Sequence, residues 1–340
     1  MIPRFIRLLL IAGIFSVLSE SAIAQQRYSL TDDDQWSETA SPEPGTPEHQ
    51  LAAARQALAA GEYVRAINLS NRWIEQYSQH GSLPEAYIIR GDARLQQDEL
   101  YQALFDYEYV ARVYSGSEAF TTALEREFDI ARRFANGERR RLWGMKIVDA
   151  SAEAEELLIR IQERLPGSRL AEMAGMELGD FYFRRRNMPM AAEMYDLFIE
   201  LYPNSEQISK ARRRGIYAHL AGFKGPQYDA VGLAEARLRI QDLKIEEPRT
   251  AEQVGADALL VRIDESRAAK LLEEARWYMR TGDVISAELT IRRLVSRYLG
   301  TVAAADGLRL VGELMPQLPE RIREQAPDYD AMRRGMADES

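Results

Sequence analysis

One stretch of this chain restricts the possible folds more than any other feature. Between residues 178 and 203 the sequence places Leu178-Gly179, Tyr182, Ala191, Tyr195 and Pro203 at fixed intervals. Small and aromatic residues at these intervals are typical of two short helices joined by a turn, a unit that is recognised by its self-similarity along a chain. Such a unit buries its apolar face only against neighbouring units. The spacing therefore predicts a repeat protein.

Further copies follow when the count starts from the alanine that packs between the two helices of a unit. Ala66, Ala103 and Ala287 each follow a turn signal, and degenerate copies surround Ala154 and Ala234. This pattern is typical of the tetratricopeptide repeat. We therefore predict an all-α fold, a right-handed α-solenoid of about five tetratricopeptide-type helical hairpins.

Residues 1–24 have the pattern of a secretory signal peptide. Arg4 and Arg7 precede an apolar run over residues 8–18, and Ala22-Ile23-Ala24 supplies an A-x-A end. The run is shorter than the roughly 20 residues that a membrane-spanning helix needs. We predict export to the periplasm with cleavage after Ala24; an uncleaved anchor is the alternative.

The composition narrows the class of protein further. The sequence contains no cysteine, so we expect neither disulfides nor a lipid on an N-terminal cysteine. The formal net charge of −9 argues against nonspecific binding to nucleic acid. We expect protein partners, and association with a membrane only through a partner.

The domain boundaries follow from composition and periodicity. Residues 25–47 are acidic and lack an apolar period, so we predict a disordered linker. The solenoid is predicted over residues 48–315, with an insertion near 134–148 that breaks the repeat period. Residues 316–340 are predicted to be a C-terminal tail, a short cap followed by disorder.

The sequence carries no recognisable catalytic or metal-binding motif. Its histidines, His49, His80 and His219, are far apart, and no glycine-rich phosphate loop, nucleophile elbow or H-E-x-x-H motif occurs. We predict a protein that is not an enzyme and that has no metal or cofactor site.

The repeat register leaves some side chains available for a partner. In this repeat the first helix of each pair lines the concave face, and the side chains that pack between helices recur at fixed positions of the count. Counting from Gly179 leaves the following residues to face an extended peptide or a helix: Asp92, Gln96, Asp180, Phe183, Arg184, Arg276 and Arg280.

A second candidate surface lies in the insertion. Arg139 and Trp143 stand in a mixture of arginines and large apolar residues that suits a protein interface or a headgroup layer. The bland alternative is that each arginine triplet, at 139–141, 184–186 and 212–214, is a solvated helix end or loop.

Three phrases of the sequence carry a resemblance to a known family. Residues 61–67 read G-E-Y-V-R-A-I, residues 191–205 read A-A-E-M-Y-D-L-F-I-E-L-Y-P-N-S, and residues 278–288 read Y-M-R-T-G-D-V-I-S-A-E. Over residues 48–314 the chain resembles the BamD family of the outer-membrane β-barrel assembly machine. The resemblance implies five repeats, attachment to a barrel-forming membrane partner, binding of unfolded outer-membrane proteins, and a periplasmic location at the outer membrane.

Two features depart from that family. Its members carry a lipid on a cysteine that ends the signal, whereas Ala24-Gln25 stands at that place here, and the insertion over 134–148 exceeds a compact five-repeat body. The alternative function is a periplasmic tetratricopeptide adaptor that coordinates cell-wall synthesis or division. It ranks second because residues 25–47 carry no heptads. A hydrolase or transferase would need an α/β domain, and residues 48–314 do not alternate like strands.

Overall fold

The computed structural model describes residues 27–30, 36–39, 42–142 and 145–338, which fold mainly into helices. The helices are α1 (Pro47–Ala59), α2 (Tyr63–Gln76), α3 (Leu83–Gln96), α4 (Leu100–Val113), α5 (Ala119–Ala135), α6 (Ser151–Arg164), α7 (Arg169–Arg184), α8 (Met188–Leu201), α9 (Ile208–Gly222), α10 (Val231–Glu246), α11 (Pro248–Gln253), α12 (Ala256–Thr281), α13 (Val284–Tyr298), α14 (Val302–Leu314), α15 (Glu320–Glu324) and α16 (Tyr329–Asp338). The strands are β1 (Arg27–Leu30), β2 (Trp36–Thr39), β3 (Arg140–Leu142) and β4 (Met145–Val148). They form two antiparallel pairs, β1 with β2 and β3 with β4.

The chain consists of two compact units. The first ends at Ala93 and the second begins at Arg94. In the first unit α1 and α2 pack as a hairpin. Trp73 of α2 is buried, and its indole N–H donates to the carbonyl oxygen of Pro47 over 2.7 Å. This hydrogen bond ties α2 to the start of α1.

In the second unit each helix from α4 to α10 packs on the next, and α12, α13 and α14 continue the row. The hairpins α5–α6, α7–α8, α9–α10 and α12–α13 form in this way. With α1–α2, the described residues contain five hairpins that lie wholly within one unit. The predicted all-α solenoid of helical hairpins is confirmed.

The alanines that define the repeat count occupy the helix interfaces in all copies but one. Those buried as predicted are Ala66, Ala103, Ala154, Ala191 and Ala287. In the α9–α10 hairpin Ala236 is buried and the predicted Ala234 is exposed. The repeat register predicted for this hairpin is wrong because the connection between α9 and α10, over residues 223–230, is longer than the turn between α7 and α8, over residues 185–187.

The ring of Tyr195 in α8 packs tightly against Gly179 in α7. A Cβ atom at this position would lie 2.7 Å from Cε1 and 2.9 Å from Cδ1 of Tyr195. Tyr195 is fully buried, and its hydroxyl donates to Asp180 over 2.6 Å. The ring is therefore held against the glycine, which explains why the repeat needs a residue without a side chain here.

A buried carboxyl group lies between α4, α5 and α6. Glu127 of α5 has no exposed surface, and neither of its carboxyl oxygens has a hydrogen-bond partner among the described residues. Arg164 of α6 lies 3.5 Å from it, but this arginine makes both of its short contacts, 2.8 and 2.9 Å, with Glu108. Burial and the neighbouring charge of Glu108 raise the pKa of Glu127 to about 8.

The insertion begins later in the chain than predicted and contains two strands. Phe134, predicted to start it, is a buried residue of α5, which continues to Ala135. Gly137, with a φ of +92°, follows the end of α5, and β3 and β4 then form a hairpin before α6. Because α5 and α6 still pack together, the hairpin lengthens their connection without interrupting the stack.

The C-terminal tail differs from the prediction of a short cap followed by disorder. Helix α16 packs on α14, and Tyr329 lies in the same buried cluster as residues of α12, α13 and α14. Its hydroxyl donates to Glu288, a fully buried residue of α13 that also accepts from Arg292 over 2.8 Å. The prediction missed this helix because prolines and charges outnumber the apolar residues that anchor it, Tyr329, Met332 and Met336.

The variant Tyr329→Phe is expected to loosen α16. Removing the hydroxyl leaves buried Glu288 with one donor fewer, a loss of about 1–2 kcal/mol. Limited proteolysis should then cut the region of α16 several times faster than in the wild type. Tyr228→Phe, at an exposed tyrosine, is the matched control, and equal cleavage rates for both variants would contradict the role assigned to Tyr329.

The strands β1 and β2 lie inside residues 25–47, where we predicted a disordered linker. Tyr28 and Leu30 alternate with polar residues, and Leu30 is paired with Trp36 across the hairpin. The predicted signal peptide, residues 1–24, lies outside the described residues. Within the part of the chain that the structure describes, no helix is long and apolar enough to cross a membrane.

Candidate partner-binding cleft

A candidate site in the second unit is a cleft of about 850 Å³ between α8 and α10. One wall is a single face of α8 that includes Pro189, Glu193 and Leu197. The opposite wall is the first half of α10, and the floor is the end of α9 with Phe223. Two helices that are not neighbours in sequence are thus brought to either side of a third.

The close approach of α10 to α9 depends on a glycine. A Cβ atom at Gly232 would lie 3.0 Å from the backbone carbonyl oxygen of His219, so a side chain there would push the start of α10 away. Behind this contact Leu233, Ala236 and Ile240 pack with Ile216 of α9 in one buried cluster. The cleft therefore has a fixed floor and one fixed wall.

An ion cluster joins the two walls of the cleft to its floor, with Asp196 on α8, His219 on α9 and Arg239 on α10. Asp196 Oδ2 lies 3.0 Å from His219 Nε2, and Asp196 Oδ1 accepts from Arg239 Nε over 3.0 Å. Burial opposes ionisation of Asp196, but the hydrogen bonds from His219 and Arg239 outweigh it and hold the pKa of this carboxyl below its ordinary value. Both basic side chains that line the cleft therefore contact Asp196, a carboxylate of the same cleft.

The rim of the cleft is acidic. Glu193 and Glu200 of α8 and Glu235 of α10 line it. Among the described residues none of these three carboxylates forms an ion pair within 4 Å, although Glu235 interacts electrostatically with Arg239. Asp229 adds a fourth carboxylate and accepts a hydrogen bond from the backbone N–H of Val231 over 3.1 Å, at the start of α10.

Apolar side chains lie between these charges. Leu197 on α8 is 41% exposed and Val231 on α10 is 60% exposed, while Met188, Ala192 and Phe223 line the deeper surface. The free protein therefore presents both apolar area and negative charge to the same small volume, which is the composition of a binding surface rather than of a solvated helix face.

The structure places the predicted residue Asp180 differently from the repeat count. Asp180 is 7% exposed and accepts from Tyr195 over 2.6 Å and from Lys210 over 2.9 Å, with Arg214 as a further partner. These donors outweigh the effect of burial and lower the pKa of Asp180. Asp180 is not a free groove residue, because α9 of the next hairpin covers it.

The two other predicted residues on α7, Phe183 and Arg184, also contact side chains of this protein. Arg184 donates to Glu177 over 2.6 Å. Phe183 is half-buried, its ring lying 6.4 Å from that of Tyr195 and 5.9 Å from the guanidinium of Arg214. The structure thus brings Asp180 and Phe183 together around Arg214, and a role of either in partner binding stays a prediction.

The other predicted residues are scattered. Asp92 is half-buried in the first unit, whereas Gln96 and Arg139 are exposed in the second. Arg276 pairs with Glu273 over 2.7 Å, and Arg280 is exposed in the last turn of α12. Trp143 lies outside the described residues. Of the predicted partner-binding residues that the structure describes, none lines the cleft between α8 and α10.

Sequence reasoning missed the cleft because it considered only the first helix of each pair. A signal was present on the second helix: Glu193, Asp196 and Glu200 follow one another at intervals of three and four, which places three carboxylates on one face of α8. Among the described residues no group of three or more histidines and carboxylates is arranged to hold a metal ion.

Comparison with known proteins shows a match between this chain and one protein family. A family model described as YfiO, an outer membrane lipoprotein, matches residues 148–325, more than half of the 340-residue chain. No curated protein matches the chain significantly. Among solved structures, the C-terminal part of a TPR repeat-containing protein from Cytophaga hutchinsonii is 15% identical with a TM-score of 0.38, over 78% of this chain and 89% of that one. The P58(IPK) TPR domain is 14% identical with a TM-score of 0.28, over 86% and 90% of the two chains.

Proposed function

Because this chain belongs to the YfiO family of outer membrane lipoproteins, we propose that it is a scaffold without catalytic activity in the assembly of outer-membrane proteins. The match to residues 148–325 carries the proposal, since it covers the stack from α6 to α14 and the short helix α15. A row of rigid helical hairpins is suited to hold other proteins, because its surface is long and its helices contact mainly their neighbours.

Two kinds of partner are proposed. A membrane component that forms or inserts β-barrels binds the C-terminal repeats, and segments of unfolded outer-membrane proteins bind along the helical surface. The cleft between α8 and α10 supports this proposal because it exposes apolar surface beside negative charge. The exposed side chains of Gln96, Arg139 and Arg280 are proposed as further contacts.

The proposed location is the periplasm, at the inner side of the outer membrane. Residues 1–24 act as the export signal, and a partner holds the protein to the membrane. The family match gives no support to the alternative adaptor of cell-wall synthesis or division.

The proposal predicts what the protein carries with it from the cell envelope. Full-length protein with a C-terminal affinity tag, purified from gently solubilised native membranes, should co-elute with a β-barrel protein that has periplasmic domains. Mass spectrometry identifies the co-eluting proteins, and an unrelated exported protein with the same tag is the control. Recovery of cell-wall or division proteins in place of a β-barrel protein would overturn the assembly role.

A further inference from the structure

We propose that the cleft between α8 and α10 binds a protein segment in which lysine or arginine side chains stand next to large apolar ones. This inference rests on the proposed function only in treating the chain as a protein-binding scaffold. It adds the chemistry of the partner segment and the helices that receive it.

The charge balance of the cleft selects a cationic partner. Its carboxylates are Glu193, Asp196, Glu200, Asp229 and Glu235. Asp196 is neutralised because His219 and Arg239 both bind it, and Arg239 also interacts electrostatically with Glu235. Glu193 and Glu200 form no ion pair with any described residue. An acidic segment would meet the remaining carboxylates without a compensating cation, whereas a lysine or arginine would form charge-assisted hydrogen bonds with them.

The spacing of the rim carboxylates limits how the basic residues are arranged. Glu193 and Glu200 are seven residues apart on α8, which corresponds to roughly 10 Å along the helix axis. In an extended segment of polyproline II conformation, which has three residues per turn and rises about 3.1 Å per residue, two basic side chains three residues apart lie on the same side and are roughly 9 Å apart. An extended segment with that spacing can pair with both carboxylates at once.

The apolar wall requires more than a bare cation. A metal ion or a small amine would leave Leu197, Val231 and Phe223 as they are in the free protein, and no metal-binding group is found among the described residues. A leucine or an aromatic residue beside the basic side chain would bury that surface and be stabilised by the hydrophobic effect. The volume of about 850 Å³ is in the range of ligand clefts, so it accepts a few side chains rather than a folded domain.

The test uses a defined probe, a fluorescein-labelled ten-residue peptide in which two lysines three positions apart are flanked by leucines. Binding to the purified full-length protein is followed by fluorescence anisotropy. Replacing both lysines with glutamate, or the leucines with serine, should each weaken binding at least tenfold. Equal affinity for the three peptides would overturn the proposal.

Variants of the protein locate the binding surface. The triple variant Glu193→Gln, Glu200→Gln, Glu235→Gln should weaken binding of the lysine peptide at least tenfold. The matched control removes the same charge elsewhere through Glu118→Gln, Glu125→Gln and Glu313→Gln, at exposed glutamates outside the cleft. We expect less than a twofold effect from the control. Equal losses for the two variants would mean general attraction to an acidic protein and would overturn the proposal.

A further variant tests the apolar part of the surface. Leu197→Ser with Val231→Ser changes two exposed positions, so the fold should survive, and circular dichroism checks this. We expect binding of the lysine peptide to weaken about fivefold. An unchanged affinity would reduce the cleft to a cation site and contradict the proposed segment.

Three outcomes relate the peptide-binding cleft to the proposed assembly function. If the triple cleft variant binds the peptide weakly and also loses its co-purified partner, the cleft is the docking site. If the peptide binds in the cleft but no β-barrel protein co-purifies with the wild type, the inference stands and the assembly role fails. If sedimentation detects self-association that the triple variant abolishes, a second copy is the occupant and a partner segment is not.

Discussion

At pH 8 the variant Glu127→Gln should be more stable than the wild-type protein, and its stability should depend less on pH. The pKa of Glu127 is raised from 4.5 to about 8 in the folded protein, so between these values the folded state keeps a proton that the unfolded state has lost. Stability therefore falls as the pH rises through this window. Glutamine keeps a polar group of the same size and cannot ionise.

The size of the effect follows from the shift. Between about pH 5 and about pH 8 the wild type should lose about 3 kcal/mol of stability through this one group, and the variant should not. Urea unfolding at the two pH values, with both proteins, measures the difference. Glu125→Gln, at an exposed glutamate two residues away, is the control. Parallel pH profiles for wild type and Glu127→Gln would show that Glu127 is ionised in the folded protein.

The variant Gly179→Ala should destabilise the second unit by about 3 kcal/mol. Its Cβ atom would overlap the Tyr195 ring at 2.7 Å, and the ring cannot turn aside because its hydroxyl is bonded to Asp180. Overpacking of this kind typically costs about 1–3 kcal/mol, and the loss of the bond to Asp180 adds to it. Thermal unfolding followed by circular dichroism measures the change in stability.

The same substitution at another glycine is the control. Gly312 lies in α14 and has open space where a Cβ atom would stand, so Gly312→Ala should be neutral or stabilise by up to about 1 kcal/mol. Combining Gly179→Ala with Tyr195→Leu should cost less than the sum of the two single changes. Additive losses would mean that the glycine serves some purpose other than the contact with Tyr195.

The repeat architecture was predictable because its signals are local. Gly179, Ala191 and Tyr195 lie within one hairpin, and their spacing reflects a contact that any copy of the unit must make. The same reasoning failed where a connection changed length, as at Ala234. It also failed in the C-terminal tail, because the few apolar residues of α16 are stabilised by packing against α12, α13 and α14, which lie earlier in the chain.

The candidate site was not predictable from a single repeat. The cleft arises because α8 and α10 stand on opposite sides of α9, so its residues come from two hairpins. Asp180 shows the same limitation, since its partners Lys210 and Arg214 lie thirty or more positions along the chain. Glu127 is a charged residue on an amphipathic helix, and nothing in its local sequence distinguishes it from an exposed one.

The hairpin of β3 and β4 has a consequence for how the chain tolerates change in length. It occupies the connection between α5 and α6, yet these helices pack as a pair. The entropy of closing a flexible connection grows slowly, by about 0.6 kcal/mol for each doubling of its length. This connection is therefore a permissive site, where a reporter domain or an epitope can be inserted while the register of the flanking repeats is preserved.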